Sequence, residues 1–113
     1  RPPRSTPFPY TTLFRSYRGL SPAMKMNYEI YVEGRVQGVG FRYFVRMKAT
    51  ELHLTGTVRN CPDGNVMVVA EGDTADLETL TDYLRIGPPM ARVKNVSVAR
   101  SPFTGHFNGF YIT

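Results

Sequence analysis

The sequence predicts a single α+β domain in which two helices cover one face of an antiparallel sheet. The chain of 113 residues is long enough for one hydrophobic core and too short for two. Apolar residues make up 42% and charged residues 20%, which is the balance of a globular protein. Stretches with the alternating pattern of a strand also take turns with stretches that have the spacing of an amphipathic helix.

The first strand and the first helix are predicted from a change of pattern after Gly34. Tyr28, Ile30 and Val32 alternate with more polar neighbours, which predicts a strand with one buried face that ends at Gly34. From Phe41 the apolar residues recur at helical spacing, so a helix is predicted from there to about residue 53.

The middle of the domain is predicted to form a β-hairpin. Residues 55–61 and 65–71 are both strand-like, and between them lies Pro62-Asp63-Gly64, a sequence typical of a tight turn. We expect the two strands to pair antiparallel.

The second helix is predicted between a cap at Asp73 or Thr74 and a stop near Gly87, with leucines at helical spacing between them. Valines 96 and 98 predict a fourth strand, and residues 110–112 a short extra strand at the C-terminal end. The resulting order is the ferredoxin-like βαββαβ sandwich, a fold that hosts many functions and so does not choose one.

The positive charge lies outside this predicted domain. The net charge is +5, yet residues 1–25 carry five basic residues and no acidic one, while residues 26–113 carry nine of each. Residues 1–25 are proline-rich, and prolines oppose the amphipathic helix of a mitochondrial targeting peptide. We therefore expect 1–25 to be a disordered or artefactual extension, 26–113 to be the domain, and no nucleic acid to be bound.

Other classes of protein are not indicated. The longest apolar run, residues 66–70, has the length of a strand, so we expect no membrane association. The single cysteine, Cys61, gives no internal disulfide, and with only His53 and His106 it cannot complete a structural zinc site. A cytoplasmic monomer without a metal is expected.

The segment most informative about chemistry is 34–42, Gly-Arg-Val-Gln-Gly-Val-Gly-Phe-Arg, which joins the first strand to the first helix. Gly38 and Gly40 allow the backbone to approach a ligand closely. Backbone amides of such a loop and of a helix start bind phosphate, and Arg42 would add a planar fork for two phosphate oxygens. By spacing alone, a plain glycine-containing connection with a solvated arginine is about as good a reading.

Two segments closely resemble motifs of the acylphosphatase family. Segment 32–42, Val-Glu-Gly-Arg-Val-Gln-Gly-Val-Gly-Phe-Arg, is similar to the family's phosphate-binding signature. Segment 54–60, Leu-Thr-Gly-Thr-Val-Arg-Asn, followed by Asp63-Gly64, is similar to its second motif. The resemblance covers about residues 27–113. It implies a small enzyme that hydrolyses acyl phosphates to a carboxylate and inorganic phosphate without a cofactor.

The resemblance also implies which residues act. Arg42 corresponds to the family's phosphate-binding arginine, and Asn60 to the asparagine that orients the attacking water. The phosphate-binding loop would comprise Gln37, Gly38, Val39, Gly40, Phe41 and Arg42. These roles are physically reasonable, because a carboxylate is already a good leaving group and the remaining tasks are to orient a water and stabilise charge on the phosphate oxygens.

Three other interpretations are open. Cys61 as a phosphatase nucleophile is disfavoured because position 67 holds methionine where such enzymes have arginine. An RNA-binding module shares the predicted fold, but the domain is neutral. The N-terminal domain of carbamoyltransferases that mature nickel-iron hydrogenases carries a similar loop; the chain ends at residue 113, so a free-standing enzyme is expected.

Overall fold

The structure, a computed structural model, describes residues 24–113. Its elements in chain order are β1 Lys25–Arg35, α1 Phe41–Glu51, β2 Thr55–Asn60, β3 Val66–Asp73, α2 Thr74–Ile86, β4 Arg92–Pro102 and β5 Phe110–Ile112. The predicted order and both helices are confirmed. The predicted N-terminal extension falls almost entirely outside the described residues, and Lys25, its last residue, is the first residue of β1.

The strands form one sheet in the order β4-β1-β3-β2-β5. β2 pairs antiparallel with β3, as predicted, and β1 pairs antiparallel with β3 and β4. β5 instead pairs parallel with β2, which makes the sheet mixed. The parallel pairing follows from the path of the chain, since segment 103–109 leaves β4 at one edge and crosses the end of the sheet to reach the other.

The core lies between the helices and one face of the sheet. The alternation predicted for β1 is confirmed, because Tyr28, Ile30 and Val32 are buried and the residues between them are not. Each helix contributes one buried stripe, which comprises Phe41, Val45 and Ala49 from α1 and Leu77, Leu80 and Leu84 from α2.

Two boundaries differ from the sequence prediction for local reasons. α1 ends at Glu51 rather than near residue 53, and His53 has a left-handed φ of 58°, which a continuing helix does not allow. β4 begins earlier than predicted, at Arg92. Its first residues lack a regular alternation because the pairing with β1 shifts register beside Glu33 and Gly34, so the sequence pattern did not reveal them.

Gly34 is required at this shift. Its φ is 135°, and a Cβ placed on it would lie 2.1 Å from the Arg92 carbonyl oxygen. The close approach of the two strands therefore fixes the end of β1, from which the loop to α1 departs.

Candidate active site

The loop between β1 and α1 has an open backbone surface. Gly38 and Gly40 both lie in the left-handed region, with φ of 74° and 78°, which favours glycine. A Cβ at either position would meet no atom of residues 24–113 within 4 Å. The turn thus depends on glycine for its conformation, and the space beside it is free for a ligand.

The start of α1 offers uncompensated backbone amides. Gly40 is the N-cap and supplies no side-chain cap, and the first turn contains no acidic residue. The amide of Phe44 bonds to Gly40 O at 3.0 Å, so the preceding amides of the first turn lack an intrahelical acceptor. At the start of α2, by contrast, Asp73 is the N-cap and Asp76 lies in the first turn. The helix dipole and the free amides of α1 therefore form a site suited to an anion.

Arg42 lies in the first turn of α1 and is half-buried. Within the part of the chain that the structure describes, its guanidinium makes no ion pair or hydrogen bond. Its five N–H donors are therefore available to oxygens of a ligand bound at the helix start.

The other predicted loop residues contribute differently. Phe41 is 2% exposed in the core, and Val39 packs against the core. The Gln37 side-chain amide donates hydrogen bonds to Cys61 O at 2.7 Å and Asn65 O at 2.8 Å. Only the backbones of these three residues are therefore available to a phosphate, and the six-residue loop as a binding unit remains a prediction.

Asn60 is the last residue of β2, where it pairs with Val66. It lies on the same strand face as Val58, which is buried beneath the helices. Its side-chain oxygen Oδ1 is buried, and among residues 24–113 it is the one buried side-chain nitrogen or oxygen without a hydrogen-bond partner. Buried acceptors almost always have a donor, so this atom indicates a position for a water or a ligand.

Sequence reasoning missed a hydrogen-bond network that supports the β2–β3 hairpin. Asn65 Nδ2 donates to the Tyr31 hydroxyl at 2.9 Å, Tyr31 donates in turn to Asp63, and the Asn65 backbone amide donates to Asp63 Oδ1 at 3.0 Å. The hydrogen bond from Tyr31 lowers the pKa of Asp63 and raises that of Tyr31 itself. The Asp63-Gly64-Asn65 turn was a visible signal, but its partner Tyr31 becomes apparent only from the strand register.

Positive charge is concentrated at this end of the sheet. The basic residues here end β1, begin α1 and β4, or flank Asn60, and comprise Arg35, Arg42, Arg59, Arg92 and Lys94. Glu33 and Asp63 are acidic residues at the same end, and each is engaged in a hydrogen bond, Glu33 with Asn95 and Asp63 with Tyr31. Such a field attracts anions. In the described range 24–113, no group of three or more histidine, cysteine, aspartate or glutamate residues is placed to hold a metal ion.

Cys61 is half-buried and lies beside this end of the sheet as a free thiol. Its sulfur lies 3.7 Å from Arg59 Nη1. His53 and His106 are exposed. No helix within the described part of the chain is long and apolar enough to cross a membrane.

The two-layer fold, with a glycine loop at an uncapped helix start, places the chain in the class of small α+β proteins with an anion site. Comparison with known proteins narrows the class. The acylphosphatase family profile matches residues 28–112. The acylphosphatase of Methylococcus capsulatus is 48% identical over 83 residues, which cover 74% of this chain and 90% of the relative. The chain belongs to the acylphosphatase family, and the function that follows is the hydrolysis of acyl phosphates.

Solved structures agree with this assignment. The crystal structure of acylphosphatase from Bacillus subtilis superposes with a TM-score of 0.76 at 41% identity, covering 78% of this chain and 98% of that one. Full-length HypF in a phosphate- and nucleotide-bound form has a TM-score of 0.73 at 27% identity, but only 12% of its chain is covered. Since the relatives matched over most of their length are acylphosphatases, the carbamoyltransferase-type alternative is not favoured.

Proposed function

We propose that this acylphosphatase holds the substrate phosphate in loop 37–42 and directs the attacking water from Asn60. The buried and unpartnered Oδ1 of Asn60 carries the proposal. A water that donates one O–H to this oxygen satisfies it and keeps a lone pair for the phosphorus. An amide can orient water in this way without titrating near neutral pH.

The loop and Arg42 supply the charge stabilisation. Amides of residues 38–42 donate to the phosphate oxygens, and the open faces of Gly38 and Gly40 allow close approach. The Arg42 guanidinium binds two oxygens and opposes the charge that develops on them in the transition state. Gln37, Val39 and Phe41 act through their backbones because their side chains are engaged elsewhere.

The chemical step is an in-line displacement. The water oxygen forms a bond to phosphorus while the bond from phosphorus to the acyl oxygen breaks, and the carboxylate leaves with the electron pair. The leaving group needs no general acid, and a phosphate oxygen accepts the proton of the water. No metal is required in this scheme.

The partners follow from these contacts. The substrate is a small acyl phosphate gripped at its phosphate end, with inorganic phosphate as a product. All proposed groups come from one chain, which supports a monomer. The equal numbers of acidic and basic residues in 26–113 support a domain that binds no nucleic acid. The single cysteine supports a reducing, cytoplasmic compartment.

Hydrolysis of benzoyl phosphate in the presence of EDTA tests the assignment. Arg42→Ala should lose roughly a hundredfold or more in rate, since it removes a charge-assisted bidentate contact from the transition state. Asn60→Ala should lower kcat far more than the affinity for inorganic phosphate. Arg46→Ala is the matched control, because Arg46 is exposed one turn along the same helix and, among the described residues, stacks on Tyr43 alone.

Two results would contradict the proposal. Near-normal activity of Arg42→Ala would mean that the phosphate site is elsewhere. If Asn60→Ala lost phosphate binding but turned over bound substrate normally, Asn60 would be a binding group and not the group that directs the water.

A further inference from the structure

We propose that Gln37 is a positioning residue, whose side chain ties the phosphate-binding loop to the β2–β3 hairpin and thereby sets the distance from bound phosphate to the water on Asn60. This inference rests on the proposed function and deepens it. Sequence reasoning placed Gln37 among the phosphate ligands, whereas the structure turns its side chain towards the hairpin.

The orientation of the Gln37 amide is fixed by its surroundings. Both neighbours are backbone carbonyl oxygens, Cys61 O at 2.7 Å and Asn65 O at 2.8 Å. A carbonyl can only accept, so the atom facing both must be Nε2, which has two N–H donors. Both donors are thereby used, and none is left for a phosphate oxygen.

The two carbonyls belong to the closing pair of the hairpin. Cys61 N donates to Asn65 O at 2.8 Å, and Gly64 N donates to Cys61 O at 3.1 Å. Cys61 directly follows Asn60 in the chain. One side chain thus connects the residue before Gly38 to the residue after Asn60, across a sequence separation of 24 residues.

The loop needs this connection because its own backbone is permissive. Gly38 and Gly40 accept many conformations and are unrestrained by side-chain packing. The other link, from Gly34 N to Asn65 Oδ1, is long at 3.4 Å and precedes the loop. Val39 and Phe41 anchor the loop to the core, and in the part of the chain described Gln37 is the loop side chain that hydrogen-bonds it to the hairpin beside Asn60. A displacement of about 1 Å between reacting groups can lower a rate by about a hundredfold.

The test is a double-mutant cycle in the full chain. Gln37→Met keeps the length of the side chain and removes both donors. We expect kcat for benzoyl phosphate to fall about tenfold, while the inhibition constant of inorganic phosphate changes less than about twofold. In an Asn60→Ala background the same substitution should have little further effect, because the misplaced water is already lost.

Two further variants guard against a merely structural effect. Gln37→Asn keeps the donors on a shorter stem, so it should fold and show an intermediate kcat. Thr104→Val loses a hydrogen bond to Glu71 at the opposite end of the sheet and should keep normal kcat despite its lower stability.

The outcomes separate the inference from the proposed function. If Asn60→Ala is slow but Gln37→Met lowers kcat by the same factor in the Asn60→Ala background as in the wild type, Gln37 does not act through Asn60 and the inference is wrong. A parallel loss of phosphate affinity and kcat in Gln37→Met would also overturn it, since the side chain would then serve binding alone. Normal turnover in Asn60→Ala would refute the proposed function itself.

Discussion

A buried glutamate at the far end of the sheet offers a sharp test of what stabilises this fold. Glu71 is 1% exposed, and within residues 24–113 its hydrogen-bond donors are all neutral. Oε2 accepts from Asn27 Nδ2 at 2.7 Å, from Thr104 N at 2.9 Å and from Thr104 Oγ1 at 2.7 Å, and Oε1 accepts from Gly105 N at 3.0 Å. A single carboxylate therefore fastens segment 103–109 to the helix-free face of the sheet.

Replacing Glu71 with glutamine keeps the shape and removes both the charge and one acceptor. Three donors then bond to a neutral oxygen, each weaker by about 0.5 kcal/mol or more, and the fourth faces an N–H group at a penalty of about 1–3 kcal/mol. The neutral glutamine avoids the cost of burying a charge, and this gain offsets part of the loss. We expect Glu71→Gln to lower the free energy of unfolding by about 3 kcal/mol at pH 7.

The loss should depend on pH. Burial acts to raise the pKa of Glu71, but the hydrogen bonds from Asn27, Thr104 and Gly105 outweigh it and hold the pKa below its ordinary value. A carboxyl group with a lowered pKa stabilises the fold fully above the pKa of the unfolded chain, about 4.3, and loses that contribution as pH falls through the folded value. The difference between wild type and Glu71→Gln should therefore shrink on acidification below about pH 4.

Urea unfolding from pH 7 to pH 3 measures both effects. Glu29→Gln is the control, because Glu29 is exposed on the neighbouring strand and should change stability by less than about 0.5 kcal/mol. A difference under about 1 kcal/mol at pH 7, or one that stays constant with pH, would refute the role assigned to the carboxylate. The kcat of the folded variant should be unchanged, since Glu71 pairs with Asn27 at the end of the sheet opposite to Asn60.

Two other predictions follow from the glycines and the charges near the site. Gly40→Ala should lower stability by only about 1–2 kcal/mol, because its Cβ has room but φ is positive. Gly56→Ala should lose more than about 3 kcal/mol, because its Cβ would lie 1.8 Å from Val69 O. Thermal unfolding measures both losses, and equal losses would contradict the geometry. The KM for benzoyl phosphate should rise between low and physiological salt while kcat stays constant, because Arg35, Arg59 and Arg92 attract the anion; a salt-independent KM would exclude this steering.

The predictable part of the fold is the part encoded locally. Alternation in β1 was sufficient to predict that strand, and the Pro62-Asp63-Gly64 turn was sufficient to predict the antiparallel pairing of β2 with β3. The first half of β4 was missed because the register shift beside Gly34 breaks the alternation. The parallel pairing of β5 depends on a segment that crosses the sheet, and no local pattern specifies that path.

The candidate site divides in the same way. Arg42 has a local signature, because a glycine loop before a helix start indicates an anion site in the sequence itself. Asn60 has none, and its role came from resemblance alone. The case for Asn60 from the structure depends on the burial of its Oδ1 and on the hydrogen bond by which Gln37 holds the loop beside the hairpin. Both features arise from contacts between distant segments.

Stability and catalysis are thus assigned to opposite ends of one sheet. Glu71 holds the crossing segment at one end, where a change should alter the free energy of unfolding and leave kcat unchanged. Gln37 holds the loop at the other end, where a change should lower kcat and leave phosphate affinity nearly intact. The two ends share no hydrogen-bond partner among the described residues. The double variant should therefore have the kcat of Gln37→Met, and its loss of unfolding free energy should be the sum of the losses in the two single variants. Coupling between them would mean that the sheet transmits strain from segment 103–109 to the phosphate loop.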